Sequence, residues 1–233
     1  MNIYMIKLPK FNSQSMYDYE TYFNLTTNEE RLGKLLVHYE VMKIARKIPG
    51  EVVECGVFKG TSLVRFSLYR NMFGGKDSSR ILAFDTFSNN YPKTKFKEDI
   101  KQRNHWIKTA GAASIGSKQL SQILKRKKIS NFSIIKGDVL KTIPKFVKKN
   151  PGLKISLLNV DIDFVEPTLV VLKNFYPLVS KGGVILFDNY AGRGNSGNYL
   201  HGDTKAIDDF LKNKKQKIKR FPFAARPCYI VKN

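Results

Sequence analysis

Two apolar runs in the third quarter of the chain break off at acidic residues: Leu157–Val160 runs into Asp161 and Asp163, and Val184–Phe187 runs into Asp188 and Asn189. Between them a segment opening Glu166-Pro167-Thr168 repeats apolar residues at helical spacing. The pattern predicts strand, helix, strand, and a right-handed crossover sets two such strands parallel and side by side. The same alternation runs upstream. Val52–Cys55 reads as a buried strand, Gly56–Gly60 as a tight turn, Thr61 onward as a helix, and Arg80–Phe84 as a strand ending at Asp85. Phe132–Lys136 reads as a strand ending at Gly137-Asp138, with a short basic helix from Pro144 onward. Thr204–Leu211 is predicted helical, and Lys217–Arg220 and Cys228–Val231 are predicted as a late antiparallel pair. This order predicts an α/β fold: a doubly wound, mostly parallel seven-stranded sheet with an antiparallel C-terminal hairpin.

The flanks carry weaker signals. Residues 1–25 are rich in Tyr, Asn and Ser without a clear period, and are expected to form a loose arm with short helical pieces. Thr27-Asn28-Glu29-Glu30 has the form of a capping box and opens a helix with Leu32, Leu35, Leu36, Tyr39 and Met42 on one side, stopped by Pro49-Gly50. The chain is therefore read as an N-terminal arm and helical extension, residues 1–50, and one α/β domain, residues 51–233. Residues 86–128, with Trp106 and the small-residue run TAGAASIG, are long for a connection and are expected to carry helices of their own or to form a lid.

Composition changes the picture in three ways. Only two cysteines, Cys55 and Cys228, occur in 233 residues, which excludes a disulfide framework and points to a reduced, cytoplasmic setting. No apolar run is long enough for a membrane span and no signal-peptide block opens the chain, so no membrane partner is expected. The net charge is +22, a balance that attracts anions. The basic residues are dispersed in short groups, such as Lys125–Lys128 and Lys212 through Arg220, and no nucleic-acid motif with interleaved aromatics is present. A solvated lysine-rich face is the plain reading; an anionic small-molecule substrate is the functional one, with nucleic acid behind it.

Strand ends of an open α/β sheet are where ligands bind. Asp161, Asp163, Asp188 and Asn189 are expected to converge there, and four oxygen-bearing side chains suit a hard divalent cation such as Mg²⁺. The bland alternative is that such residues only cap helices and turns. Upstream, Glu54-Cys55-Gly56-Val57-Phe58-Lys59-Gly60 sets an acid at a strand end before two glycines, but lacks the dinucleotide spacing. Asp85 ends the second strand, where a carboxylate meets ribose hydroxyls, and Gly137-Asp138 ends the third, where an acid would meet a base. Acids after three successive strands read as a nucleoside site without phosphates, and S-adenosylmethionine is such a ligand.

The segments VVECGVFKGTS, ILAFDTFSNNYP, FSIIKGDVLKTIP, LLNVDIDFVEPTLVVLKNFYPLVSKGGVILFDNYAG and TKAIDDFL, in this order, resemble the macrocin O-methyltransferase family over roughly residues 30–212. The resemblance implies a class I, Rossmann-like, S-adenosylmethionine-dependent and metal-dependent enzyme that methylates sugar hydroxyls. It implies Mg²⁺ on Asp161, Asp188 and Asn189, the last standing where the family usually has Asp, and Asp163 as a candidate base. His201, in a Gly- and Asn-rich region, is the alternative base or a surface histidine. The implied cofactor site is Glu54, Gly56, Val57, Gly60, Thr61, Ser62, Asp85, Thr86, Phe87, Gly137, Asp138, Val139 and Asp161. Asp163 is otherwise a support for the metal or an N-cap, His105 and Tyr190 are pocket or packing residues, and His38 is expected to have no role. The expected acceptor is a sugar-containing, nucleotide-linked or otherwise anionic small molecule, its pyrophosphate near Lys59, Lys108 and Arg193. A catechol-type small-molecule O-methyltransferase, or a nucleic-acid-binding methyltransferase or basic binding module, are the alternatives, and a homo-oligomer is possible.

Overall fold

Among the described residues, seven strands make one sheet: β1 Glu51–Cys55, β2 Ile81–Asp85, β3 Phe132–Lys136, β4 Ile155–Val160, β5 Val179–Phe187, β6 Lys219–Arg220 and β7 Cys228–Val231. The computed structural model describes residues 6–88, 94, 96–111, 113–190, 201–224 and 226–233. The spatial order is β3-β2-β1-β4-β5-β7-β6. The first five strands pair in parallel, and β7 lies antiparallel between β5 and β6. The helices are α1 Ser13–Thr26, α2 Glu29–Ala45, α3 Thr61–Met72, α4 Lys97–Thr109, α5 Ser117–Arg126, α6 Val139–Lys149, α7 Val165–Phe175 and α8 His201–Leu211.

Alternation along the strands divides the core in two. Val53, Cys55, Leu158, Val160, Ile185 and Phe187 join a cluster with Ile143 of α6, Phe175 of α7 and Ile207 of α8. Val52, Ile81, Ala83, Leu157, Val184 and Leu186 join a second cluster with Val37 and Val41 of α2, Phe66 of α3 and Leu120 of α5. Both faces are thus covered, as the near-continuous apolar strands require, and the doubly wound reading holds. Helix α2 belongs to this cover: Val37, Val41 and Ala45 are fully buried. Among the described residues no helix is long and apolar enough to cross a membrane.

Local corrections have local causes. Instead of a loose arm with short helical pieces, α1 is a continuous helix of 14 residues capped by the Asn12 side chain on Ser15 N. None of its residues is buried, so it imposes no apolar period. Helix α2 is capped by Asn28, whose Oδ1 accepts from Arg31 N, and not by Thr27 of the apparent capping box. Helix α6 begins at Val139, with Pro144 in its interior instead of at its start. Proline deprives the helix there of one backbone hydrogen bond, and the Asp138 cap, which accepts from Leu140 N, sets the true start. The long connection after β2 carries α4 and α5.

The order reverses between β1 and β4, so the two halves of the sheet diverge at their carboxyl ends and leave a crevice. The strand ends are locked together across it. Gly56 N donates to Phe84 O, Asp161 N to Cys55 O, and Asp188 N to Val160 O. At Gly56 the packing is so close that a Cβ would stand 1.7 Å from Asp161 O, on a backbone with φ of +88°. Gly56→Ala is therefore expected to force the two strand ends apart and to destabilise the fold by about 1–3 kcal/mol or more. Thermal denaturation of the purified variant measures this, and an unchanged midpoint would contradict the packing described.

Candidate functional site

A cleft of about 510 Å³ opens at the carboxyl ends of β1, β2, β4 and β5. One wall is the Gly56–Gly60 turn, where Phe58 is held at a φ of +48° between two left-handed glycines. Such a backbone costs on the order of 1–3 kcal/mol and persists only where its surroundings enforce it. Asp85 does so: its Oδ2 accepts from Val57 N at 2.7 Å and Phe58 N at 3.0 Å, and its Oδ1 from Phe87 N at 2.7 Å. Phe87, itself at a φ of +49°, is buried behind the cleft. Asp85 and Thr86 line the cleft, but the carboxylate expected for ribose is first the clasp of this turn. Ser114 Oγ and Ile115 N close the turn from α5's approach by donating to Phe58 O.

Glu54 lies beneath that turn and not on the cleft wall. It is fully buried, and its Oε1 accepts from Asn159 Nδ2 at 2.9 Å. Burial pushes its carboxyl up to about 8, against the opposing pull of its hydrogen bonds to Ser62 and Asn159. At neutral pH it is a mostly neutral group that ties β1, β4 and α3 together. Gly60 and Gly137 likewise shape turns behind the wall, with φ of +82° and +140°. Gly56, Val57, Thr61 and Ser62 do line the cleft, as do Asp138 and Val139. Asp138, expected to meet a base, has one oxygen committed to capping α6.

The acidic residues of β4 and β5 converge as expected. Asn189 Nδ2 donates to Asp161 Oδ1 and to Asp163 Oδ1, each at 2.7 Å. Asp163 does not cap α7; Phe164 is the N-cap, and Asp99 Oδ2 of α4 accepts from Val165 N instead. Asp163 adopts a left-handed φ of +69°, turning its side chain back toward the cluster. At the start of α8, a Cβ on Gly202 would stand 2.1 Å from Asp163 O, so that helix packs directly on the Asp163 turn.

The cluster is completed by a helix that the motifs do not include. Lys34 of α2 forms an ion pair with Asp188 Oδ2 and stands 3.7 Å from Asp161 Oδ2. One turn later, His38 Nε2 lies 3.2 Å from Asp188 Oδ1. His38 is thus not idle, as its place on the N-terminal helix suggested, but fully buried against the cluster. Burial alone would raise Asp188, but the Lys34 ammonium and then the His38 contact outweigh it and hold the carboxyl well below the usual range. Burial keeps His38 below its ordinary value in spite of Asp188. Asp161 is raised, by burial first and by Asp188 second. Asp163 is raised to about 6, chiefly by burial, with Lys34 opposing.

These residues suit a hard cation chemically: Asp161 and Asp188 supply carboxylate oxygens, and Asn189, whose Nδ2 faces Asp161 and Asp163 here, would turn its amide oxygen toward a cation. Two of the carboxylates already share one positive group, the Lys34 ammonium, which is the observation that fits them to a metal. Among the described residues no group of three His, Cys, Asp or Glu side chains stands ready to hold a metal ion.

Other expected positions separate. Lys59 lines the cleft, with Nζ donating to Ala110 O at 2.8 Å. Lys108 is exposed and off the wall, because it faces away from Trp106, the residue of α4 that does line the cleft. Arg193 and the His201 side chain lie outside the described residues. Tyr190 packs instead of lining, its hydroxyl donating to Asp208 Oδ1. His105 is exposed and meets the Trp106 ring edge-on. Residues missed from the sequence include Lys34, His38, Arg31, Arg65 and Arg226. One signal existed: Arg31, Lys34 and His38 recur at i, i+3 and i+7 on a single helix face.

Comparisons with known proteins identify the family and the fold. A family model described as Macrocin-O-methyltransferase (TylF) matches residues 20–219. Among solved structures, CalS11, a calicheamicin methyltransferase, superposes with a TM-score of 0.71 at 22% identity, covering 93% of this chain and 85% of that one. A second structure of that protein describes it as a TDP-rhamnose 3'-O-methyltransferase. The O-methyltransferase NovP gives 0.71 at 17% identity, covering 86% of this chain and 80% of that one. A putative caffeoyl-CoA O-methyltransferase from Staphylococcus aureus gives 0.57 at 13% identity, covering 96% and 93%. No curated protein matches. The fold is that of class I methyltransferases.

The state of Glu54 generates a pH prediction. Its carboxyl binds a proton more tightly folded, at about 8, than at the ordinary 4.5. The folded chain is therefore favoured below about 4.5 and loses stability as pH rises from there toward 8. Glu54→Gln, neutral at every pH, should remove that slope, a difference on the order of a few kcal/mol at pH 8 given about 1.4 kcal/mol per pKa unit. Urea midpoints across the range read it out, and parallel curves for the two proteins would refute the assignment.

Proposed function

The chain belongs to the macrocin O-methyltransferase family, and from that premise we propose that it methylates a sugar hydroxyl with S-adenosylmethionine, aided by a divalent cation such as Mg²⁺ on Asp161, Asp188 and Asn189. It is an O-methyltransferase. The observation that carries the finer reading is the convergence of Asp161, Asp163 and Asn189 within hydrogen-bond distance, in a cleft that also takes in the Gly56–Ser62 turn. When bound, the sulfonium supplies the methyl group and the cation would supply a Lewis acid for the acceptor oxygens.

The chain's own part is to orient, exclude water and move one proton. The Gly56–Ser62 turn and Asp85 border the cofactor's side of the cleft, and Thr86, Asp138 and Val139 continue that wall. Trp106 and Phe164 cover the site with apolar surface. Asp163, raised to about 6, remains mostly ionised at neutral pH and is close enough in basicity to accept a hydroxyl proton. Its Oδ1 is fixed by Asn189, which leaves Oδ2 to act as the base. His201 remains the alternative base.

An anionic, nucleotide-linked acceptor is supported by the cleft's rim. Arg31, Arg65 and Arg226 line it alongside Lys59. Among the described residues the Arg31 and Arg65 guanidinium groups form no ion pair, whereas Arg226 meets Glu30 at 3.2 Å. These arginines replace Lys108 as candidate phosphate partners, since guanidinium forks suit phosphate oxygens. CalS11 acts on a TDP-linked sugar, as its description says, which agrees with such an acceptor. A homo-oligomer and a cytoplasmic setting are part of the same proposal.

Labelled S-adenosylmethionine with a panel of nucleotide sugars, free sugars, catechols and RNA tests the acceptor; labelling of catechol or RNA with no sugar turned over would overturn it. EDTA is expected to abolish turnover and Mg²⁺ to restore it, and full activity of metal-free protein would sink the metal-assisted mechanism. Asp163→Asn should lower kcat by roughly 10²–10⁴-fold while S-adenosylhomocysteine still binds. Arg65→Gln should raise KM for a nucleotide sugar by about tenfold or more, the scale of a charged hydrogen bond, and leave a free sugar unaffected.

A further inference from the structure

Both oxygens of Asp188 are met by one helix. Lys34 reaches Oδ2 and His38 reaches Oδ1, and these residues stand one turn apart on α2. The Lys34 ammonium also approaches Asp161, so it spans the two carboxylates that the metal reading needs. Among the described residues, the partner of Asp163 in the cluster is the Asn189 amide. Asp188 is fully buried, while the Lys34 side chain is 23% exposed and borders the cleft, which gives it a way out.

We propose that Lys34 is the built-in occupant of this cluster: its ammonium and a divalent cation are alternative partners of Asp161 and Asp188, so Lys34 sets the affinity for metal. The inference rests on the metal reading above. The physical reason is that two cations a few ångströms apart in a poorly solvated site repel strongly. Without metal, the clustered carboxylates need a compensating charge, and a lysine on a flexible stem supplies it. With metal, the higher charge displaces the ammonium toward the exposed side of the cleft. His38, fully buried, reaches the other oxygen of Asp188 and lacks the exposed path that Lys34 has.

The test is a Mn²⁺ titration of the intact chain, followed by electron paramagnetic resonance, for the wild type, Lys34→Met and Lys34→Arg. Lys34→Met is expected to bind Mn²⁺ about tenfold tighter or more, the scale on which residues behind metal ligands act, and Lys34→Arg to remain as weak as the wild type. A merely structural lysine would loosen the site on removal and could not tighten it. Equal or weaker binding by Lys34→Met overturns the proposal and leaves the metal reading standing; no Mn²⁺ binding by any of the three overturns both. Should Lys34→Met fail to fold, acetic anhydride labelling of the wild type with peptide mass spectrometry answers the same question. Saturating Mn²⁺ should raise Lys34 labelling several-fold against Lys205 as the reference, and unchanged labelling would overturn the proposal.

Discussion

Three carboxylates at the ends of two adjacent strands repel one another, and the architecture around the cleft answers that repulsion. Asp161, Asp163 and Asp188 are brought together because β4 and β5 pair in parallel with matched ends, Val160 beside Phe187. Taking such charges out of water is costly unless partners replace the lost solvation. The partners come from two directions. Asn189 donates its amide to Asp161 and Asp163, and α2 brings Lys34 and His38 to Asp188. Removing either set would leave a buried charge uncompensated.

The same constraint explains the division of labour across the crevice. On the β1 side, Glu54 is neutralised by burial and Asp85 is spent on backbone N–H groups, so little free negative charge faces the cleft there. On the β4–β5 side the charge is concentrated. Arginines stand at the rim. An acceptor with an anionic end and an oxygen-rich middle would find complementary surfaces at the arginines and at the cluster, which is the sense in which the proposed acceptor fits this cleft.

Much of this was legible in the chain because strand ends announce themselves. Apolar runs closing on Asp85, Asp161 and Asp188, and glycines at Gly56 and Gly60, are one-dimensional marks of a three-dimensional edge. What escaped was everything delivered from outside those runs. Lys34 and His38 sit on a helix distant in sequence, and a basic helix face reads as solvated until the tertiary packing turns it inward. Pro144 suggested a helix start and Thr27 a cap, but Asp138 and Asn28 were the side chains positioned to reach the free N–H groups. Glu54 reads as a ligand candidate in the sequence because its place along β1 does not reveal that Asn159 and Ser62 enclose it. Periodicity tells which face a residue is on, not which neighbour arrives there.

The central claim is that the carboxylates at the ends of β4 and β5 form the proposed cation site beside the cofactor cleft. Crystals grown with S-adenosylhomocysteine and Mn²⁺, measured at the manganese absorption edge, test it most directly. The account predicts an anomalous peak between Asp161, Asp188 and Asn189, with the nucleoside against the Gly56–Ser62 turn and Lys34 withdrawn from Asp188. S-adenosylhomocysteine bound in the cleft, with no manganese at those residues and Lys34 still on Asp188, would contradict it.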